Sequence, residues 1–228
     1  MAQILSERPF KRLIERVIFS GDARALRVVA PWSYRAIAAN RGAAKNISKM
    51  SARIFDLIYL LRRHRPRSIV ELGSGFTTAA FARYARRAGA TFISIDENPD
   101  WVNSATLPAL SEAGINDFFP LIAERKESEA GRWYDTTIPA DTDFLYVDGP
   151  SSRNKTVASF ACLDALNTLD AGATPNLIVF DGRTPTILTV LQSKHGERYS
   201  WSFQEKFRHQ SGLDVPVRLG HHTVAKRR

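Results

Sequence analysis

The sequence predicts a doubly wound α/β fold: a mostly parallel, seven-stranded sheet with helices on both faces, a terminal antiparallel hairpin and a helical N-terminal extension. Three observations lead there. From residue 68 onward, short β-branched runs alternate with helical stretches, as parallel strands joined by crossover helices do. The first of these runs passes straight into a glycine turn in "IVELGSGFTT" (69–78). Acids stand at or near the ends of most of the other runs, so the polar groups gather at one end of an apolar pattern.

The elements follow in order. In "PFKRLIERVIFS", Phe10, Leu13, Ile14, Val17 and Ile18 fall at i, i+3, i+4, i+7 and i+8, with Lys11, Arg12 and Arg16 opposite. That spacing is a basic amphipathic helix, which docks on its own domain or on an anionic surface. A second helix covers "NISKMSARIFDLIYLLRR", with Ile54, Leu57, Ile58 and Leu61 on one face and Pro66 as its stop. Its arginines suit a helix C-terminus. The strands are "SIVEL" (68–72), "TFISID" (91–96), "FFPLIA" (118–123), "DFLYVD" (143–148) and "NLIVFD" (176–181). Helices are expected in "TTAAFARYARRAGA", "PDWVNSATLPALSEAG", "KTVASFACLDALNTLD" and "TPTILTVLQSKHG". "YSWSFQEKF" and "VPVRLGHH", joined by "RHQSGLD", form the terminal hairpin. Residues 1–66 are thus a basic helical extension, and residues 67–228 the ligand-binding domain.

Composition narrows the function classes. The chain has 228 residues, 44% hydrophobic and 24% charged, enough for one sizeable core. Its one cysteine, Cys162, lies between apolar neighbours; a disulfide framework or a cysteine zinc site is excluded and a buried core thiol expected. There is no run of about 18 apolar residues and no signal-peptide pattern, so a cytoplasmic location is expected. Residues 1–67 hold 15 Lys+Arg against 4 Asp+Glu, and residues 68–228 hold 17 against 19. The basic character belongs to the N-terminal segment, which is either a solvated arginine-rich face or a surface for an anionic partner such as nucleic acid, an acidic glycan or a lipid surface.

In open α/β sheets the ligand sits at the carboxyl ends of the strands, where the strand order reverses. Those ends carry Glu71, Gly73, Ser74 and Gly75 after strand 1, Asp96 and Glu97 after strand 2, Asp148 after strand 4 and Asp181 after strand 5. Clustered carboxylates repel and need cations or hydroxyl donors to hold them. Asp96 stands 23 residues past Gly73, near the spacing at which an acid accepts hydrogen bonds from ribose hydroxyls. The dinucleotide pattern G-x-G-x-x-G fails at Thr78, and Glu71 would repel a pyrophosphate. Both departures point away from a nicotinamide dehydrogenase.

"VELGSGFTT", "ISIDENPDWV", "DFLYVDGP" and "LIVFDGR" together resemble the class I S-adenosylmethionine-dependent methyltransferases, which share a Rossmann-like sheet, and in particular bacterial small-molecule or sugar O-methyltransferases. The resemblance spans about residues 48–185. It implies S-adenosyl-L-methionine as cofactor, with Gly73, Ser74, Gly75 and Thr77 at its methionine portion and Glu71 ordering the turn and its ammonium contacts. It also implies Asp96 on the ribose with Glu97 assisting, Glu124 beside the adenine in the loop "AERKES", and Asp148 facing the methionine end or the substrate. In the catechol-type branch a divalent metal is held by an Asp after strand 4 and an Asp-Asp or Asp-Asn pair after strand 5; here Gly182 takes the place of the second member. Two carboxylates with water would hold a hard cation weakly, so no metal ligands are assigned.

Methyl transfer requires an aligned nucleophile, exclusion of water and often a base. Asp148 and Asp181 are the candidate bases, with Arg183 and Arg153 binding an anionic substrate. The histidines are less telling: His64 precedes strand 1, His221 and His222 follow the last strand, and His209 and Lys206 lie in the hairpin turn. The expected function is O-methylation of a small molecule or of a sugar or polysaccharide, with "PWSYRAIAANRGAAKNIS" across the pocket. Two alternatives stand beside it. An RNA methyltransferase would use the basic segment with Trp32 and Tyr34, though the signature [DN]-P-P-[FYW] is missing. A non-catalytic binding module would keep the fold without turnover.

Overall fold

A computed structural model describes residues 21–40, 47–151, 160–203 and 222–228. The amphipathic helix expected at 10–18, Arg153, Lys206, His209, His221 and the turn at 208–214 lie outside them. The described chain begins in helix α1 (residues 21–29), then α2 (Pro31–Ala39), whose Pro31 at the first turn needs no N–H partner. Helix α3 (Ile47–His64) ends in Arg62, Arg63 and His64, cations that complement the negative end of its dipole.

Beyond α3 come β1 (Ser68–Leu72), α4 (Phe76–Ala88), β2 (Thr91–Asp96), α5 (Pro99–Trp101), a π-turn (Val102–Thr106), α6 (Leu107–Glu112) and β3 (Leu121–Ile122). Next are β4 (Arg125–Ser128), β5 (Gly131–Tyr134), β6 (Phe144–Val147), α7 (Asp164–Asp170), β7 (Leu177–Phe180), α8 (Thr184–Gln192), β8 (Tyr199–Ser202) and β9 (Thr223–Arg227). Seven strands form one sheet in the order β3-β2-β1-β6-β7-β9-β8. The first five are parallel, while β9 runs antiparallel to both β7 and β8. Strand order therefore reverses between β1 and β6.

Because side chains alternate along a strand, the sheet has two distinct faces. Val70, Leu72, Leu145, Val147, Ile178 and Phe180 pack with Ala165, Leu169, Ile187 and Val190 from α7 and α8. Ile69, Phe144, Tyr146, Leu177, Val179 and Val224 pack with Leu57, Leu60 and Leu61 of α3 and Phe81 of α4. A further apolar layer joins α1 and α2, through Leu26, Ala36 and Ile37, to α4 and α6. Each fully buried Leu, Ile, Val or Phe contributes about 1.5–3 kcal/mol.

The structure corrects three expected boundaries. The segment "AERKES" is not a plain loop, since Arg125–Ser128 pairs antiparallel with Gly131–Tyr134 in a separate hairpin. Its second strand turns an arginine inward: Arg132 is only 2% exposed, which hides the strand from any apolar pattern. The helix expected from 155 begins at Asp164, and Cys162 bridges β5 beside Arg132 instead. The final described strand is "TVAKR"; of the expected "VPVRLGHH" only His222 lies among the described residues, and it precedes this strand. Its buried half is Thr223, Val224 and Ala225, and its charged half emerges at the rim. Cys162 is a buried free thiol, as expected.

Arg132 ties the hairpin to the domain. Its Nε donates to Glu127 Oε2 at 2.9 Å, its Nη1 to the Ser151 carbonyl at 2.7 Å, and its guanidinium lies 4.1 Å from the Phe160 ring centroid. Arg132→Leu should lower stability by about 2 kcal/mol, since hydrogen bonds made by a charged group are lost. A shift of the denaturant midpoint without a change of slope would register that loss; an unchanged midpoint would refute it.

Candidate active site at the carboxyl ends of the strands

The glycine turn is held from below. Glu71, wholly buried in β1, accepts hydrogen bonds from Thr77 Oγ1 at 2.5 Å, Thr78 Oγ1 at 2.6 Å and Ser94 Oγ at 2.7 Å. Thr78 Oγ1 in turn accepts from the Gly75 N–H at 2.8 Å. Thr78, where a dinucleotide site would have its third glycine, therefore links the turn to Glu71. Burial outweighs these hydroxyl bonds and pushes the Glu71 carboxyl up from 4.5 to about 8. Glu71 thus orders the turn from within, with both oxygens engaged.

Asp96 clamps the same turn from the next strand. Its Oδ2 accepts from Ser74 N at 2.8 Å and Ser74 Oγ at 3.0 Å, and its Oδ1 from Asn98 N at 2.8 Å. A carboxylate has about four acceptor positions, so roughly one is left to face a ligand. Burial raises its pKa, and the backbone bonds oppose that rise. Beside it, the Trp101 indole donates to the Ser74 carbonyl at 2.8 Å. A Cβ placed on Gly75 would meet that ring at 3.7 Å, an ordinary contact. The turn thus presents open backbone flanked by an aromatic wall, and Trp101 is a site residue that sequence reasoning missed. The signal was its position four residues after Glu97 in "ENPDW".

Glu97 spans the strand-order reversal. Tyr134 Oη donates to its Oε2 at 3.0 Å, the Ser151 N–H donates to its Oε1 at 2.8 Å, and Arg125 lies 3.7 Å away. Backbones also close across this gap. A Cβ on Gly73, whose φ is +88°, would sit 2.6 Å from Gly149 N, and one on Gly149 would sit 2.1 Å from Tyr134 Oη. Glu124 lies apart, its carboxylate 71% exposed and paired with Lys126 Nζ at 2.8 Å.

The register gathers the remaining acids on one face. Ser94, Glu71 and Tyr146 are neighbours across β2, β1 and β6, and Val179 and Val224 continue the row through β7 and β9. Two residues further toward the carboxyl ends, the same face carries Asp96, Gly73, Asp148, Asp181 and His222. His222 precedes the last strand instead of following it, and because β9 is antiparallel it comes to the ligand end of the sheet.

Helix α3 covers this row with two charged side chains one turn apart. Arg53 Nη1 donates to Asp181 Oδ2 at 2.5 Å, and Asp56 Oδ2 lies 2.9 Å from His222 Nδ1. The His222 ring meets Tyr146 edge-on, with centroids 5.7 Å apart. Arg183 donates from Nη1 to the Pro150 carbonyl at 2.6 Å and from Nη2 toward Asp148 Oδ1 at 3.4 Å, so it braces the loop after β6. The Asp148 pKa is raised, first by desolvation and then by Asp181, against Arg183 and Arg53. Its side chain is 43% exposed, and water reaching it moderates that rise. Tyr146 Oη, Asp181 Oδ1 and His222 Nε2 are buried without a hydrogen-bond partner among the described residues. Buried polar atoms are rarely left so, and these three share one face of the sheet, Tyr146 in the row of Glu71 and the other two in the row beyond it.

Two depressions, of about 230 and 400 Å³, lie at the opposite end of the strands, against Pro66, Asp143 and Asn176 and against Arg67, Thr91 and Thr142. None of the candidate site residues lines either.

The sheet order, the glycine turn after β1 and the acid after β2 define the Rossmann-like fold of the class I S-adenosylmethionine-dependent methyltransferases. No protein-family model and no curated protein matches the chain. Among solved structures it is similar to an inferred O-methyltransferase from Klebsiella pneumoniae, at 17% identity over 91% of this chain and 96% of that one, with a TM-score of 0.51. At that identity the likeness speaks for the fold alone. An SAH-bound methyltransferase from Podospora anserina matches at 15% identity over 100% of both chains with a TM-score of 0.47. An O-methyltransferase from Bacillus cereus in complex with SAH matches at 12% identity over 90% and 96%, with a TM-score of 0.45.

Proposed function

We infer that this protein is an S-adenosylmethionine-dependent O-methyltransferase acting on a small hydroxylated acceptor, a sugar among the candidates. The observation that carries this reading is the turn itself. Gly73, Ser74 and Gly75 are clamped between Glu71 and Asp96, beside Trp101 and on the sheet face that carries three buried polar atoms without a partner among the described residues. The Klebsiella protein of the same fold supports it. Gly73 to Gly75 would hold the methionine portion of the cofactor, Asp96 the ribose hydroxyls and Trp101 the flank of the nucleoside, with Glu97 and Tyr134 bordering it and Thr77 setting the turn. When bound, S-adenosylmethionine supplies an electrophilic methyl group.

The chain's own groups do the rest. An acceptor hydroxyl must lose its proton as it attacks, and Asp148 and Asp181 stand where that proton would be taken. A carboxyl with a raised pKa is a better proton acceptor near neutral pH than an ordinary one, and burial gives Asp148 that character. Arg183 holds Asp148 and the Pro150 carbonyl in place. Helix α3 closes the acceptor side through Arg53 and Asp56, which extends the role of the N-terminal segment as cover.

Calorimetric titration with S-adenosylhomocysteine tests the cofactor, with NAD as control. Saturable binding is expected, and Asp96→Ala should weaken it by about 1–3 kcal/mol, the cost of leaving polar partners unsatisfied. Folded protein that binds neither ligand would overturn the reading in favour of a non-catalytic module. A preference for RNA over small acceptors in a methyl-transfer assay would overturn the acceptor class.

A further inference from the structure

Resting on the methyltransferase reading, the acceptor site has a feature of its own. A catechol-type divalent metal takes an oxygen after strand 4 and two side chains after strand 5, which here correspond to Asp148, Asp181 and Gly182. That donor set does not fit a metal. Gly182 has no side-chain oxygen. Asp181 Oδ2 is taken by the Arg53 guanidinium at 2.5 Å, and Asp148 Oδ1 lies 3.4 Å from Arg183. Each carboxylate already faces a fixed cation. Among the described residues no group of three His, Cys, Asp or Glu side chains converges as metal ligands would.

The guanidinium is well placed for that role. Arg53 projects from α3, whose next turn anchors Asp56 to His222, so its position is fixed by the helix. The Asp181 side chain is 5% exposed and that of Arg53 21%. A divalent ion within coordinating distance of Asp181 would have to approach a positive charge already in contact with it, in a site where water screens poorly. Arginine stays charged at any working pH and binds carboxylates with directed N–H groups. Once Oδ2 is engaged, the other oxygen of Asp181 is left buried and, among the described residues, without a partner.

We propose that Arg53 is the resident cation of the acceptor site, standing where a catechol-type enzyme holds its metal and presenting Asp181 Oδ1 to a single substrate hydroxyl. The acceptor class follows from the geometry of the two devices. A metal is chelated by two adjacent oxygens, whereas a buried carboxylate oxygen is satisfied by a single hydroxyl. The acceptor is then an alcohol or phenol that needs no neighbouring hydroxyl, and methylation proceeds without divalent metal.

The test is calorimetric titration of the full chain with MnCl₂, with and without S-adenosylhomocysteine. Wild type should take up no Mn²⁺ at this site. Arg53→Ala should gain one weak site, with a Kd on the order of 10⁻³ M as suits two carboxylates with water, and Arg53→Ala/Asp181→Asn should lose it. If Arg53→Ala does not fold, Arg53→Gln replaces it, since it keeps most of the stem and a polar end without the charge. Mn²⁺ uptake by wild type that Asp181→Asn abolishes would overturn the proposal, as would a folded, uncharged variant at position 53 that gains no site. The cofactor is tested separately: wild type that ignores S-adenosylhomocysteine refutes the methyltransferase reading, whereas the Mn²⁺ titrations judge Arg53 alone.

Discussion

Gly149→Ala should abolish the folded state. The new Cβ would stand 2.1 Å from Tyr134 Oη and 2.6 Å from both the Cα and the N of Gly73, well inside van der Waals contact. The tyrosine hydroxyl could move, although it would give up its bond to Glu97. The Gly73 backbone cannot, because its N–H donates to the Ile95 carbonyl at 2.8 Å and its φ of +88° is fixed by the turn. Overpacking against backbone belongs among the largest single-substitution effects, about 4 kcal/mol or more, against a total stability of about 5–15 kcal/mol. Gly149→Ala/Tyr134→Phe removes the closest atom and leaves the Gly73 clash, so it should not restore folding. A cooperative thermal transition within a few degrees of wild type for either variant would show that the two turns can part.

Stability should fall as the pH rises from about 5 to 8, and Glu71→Gln should flatten that fall. In the folded chain Glu71 keeps its proton up to about 8, while unfolded it loses it near 4.5. Between those values the native state binds more protons than the unfolded one, so unfolding grows easier with each step upward. At ~1.4 kcal/mol per unit the span corresponds to about 4–5 kcal/mol as an upper bound. Asp164, raised to about 6, and Asp96, also raised, act in the same direction, which leaves a residual slope in the variant. Glutamine can replace the acid without a broken bond: its oxygen accepts from Thr78 and Ser94, and its amide donates to Thr77, whose hydroxyl rotates. Melting temperatures across this pH range decide the matter. Equal slopes for wild type and Glu71→Gln would mean that Glu71 is ionised in the fold.

Much of this was legible in the sequence, and what was not has definite physical reasons. Strands β1 and β2 carry their expected bounds because β-branched runs, a glycine turn and an acid coincide there. The clamp on the turn was partly readable, since Asp96 and Ser74 lie in motifs of recognised spacing. Helix α3 was legible as an amphipathic helix. Its function was not, because Arg53 and Asp56 meet partners 128 and 166 residues away, and no local pattern encodes such a pairing. The hairpin β4–β5 was hidden by Arg132, a charge at a core position. His222 was misjudged for a related reason. Its place depended on where the last strand begins, and "TVAKR" reads as a charged tail until Val224 and Ala225 are seen between β7 and β8. Glu124 went the other way, since proximity in sequence to β3 did not bring its carboxylate off the surface.

The position of β9 bears on how the chain folds as it is synthesised. Strand β8 is made before β9, yet its place in the sheet is on the far side of β9. While translation has not reached residue 223, β8 lacks the neighbour it has among the described strands, and the edge of β7 that β9 will cover presents a bare row of backbone donors and acceptors. Such an edge invites pairing with other chains. Insertion of β9 seals it and, in the same movement, delivers His222 to Asp56 on a helix made 166 residues earlier. Vectorial synthesis thus leaves the contact between His222 and Asp56 until the sheet closes, and a nascent chain gains that contact and its protection from aggregation in one late event.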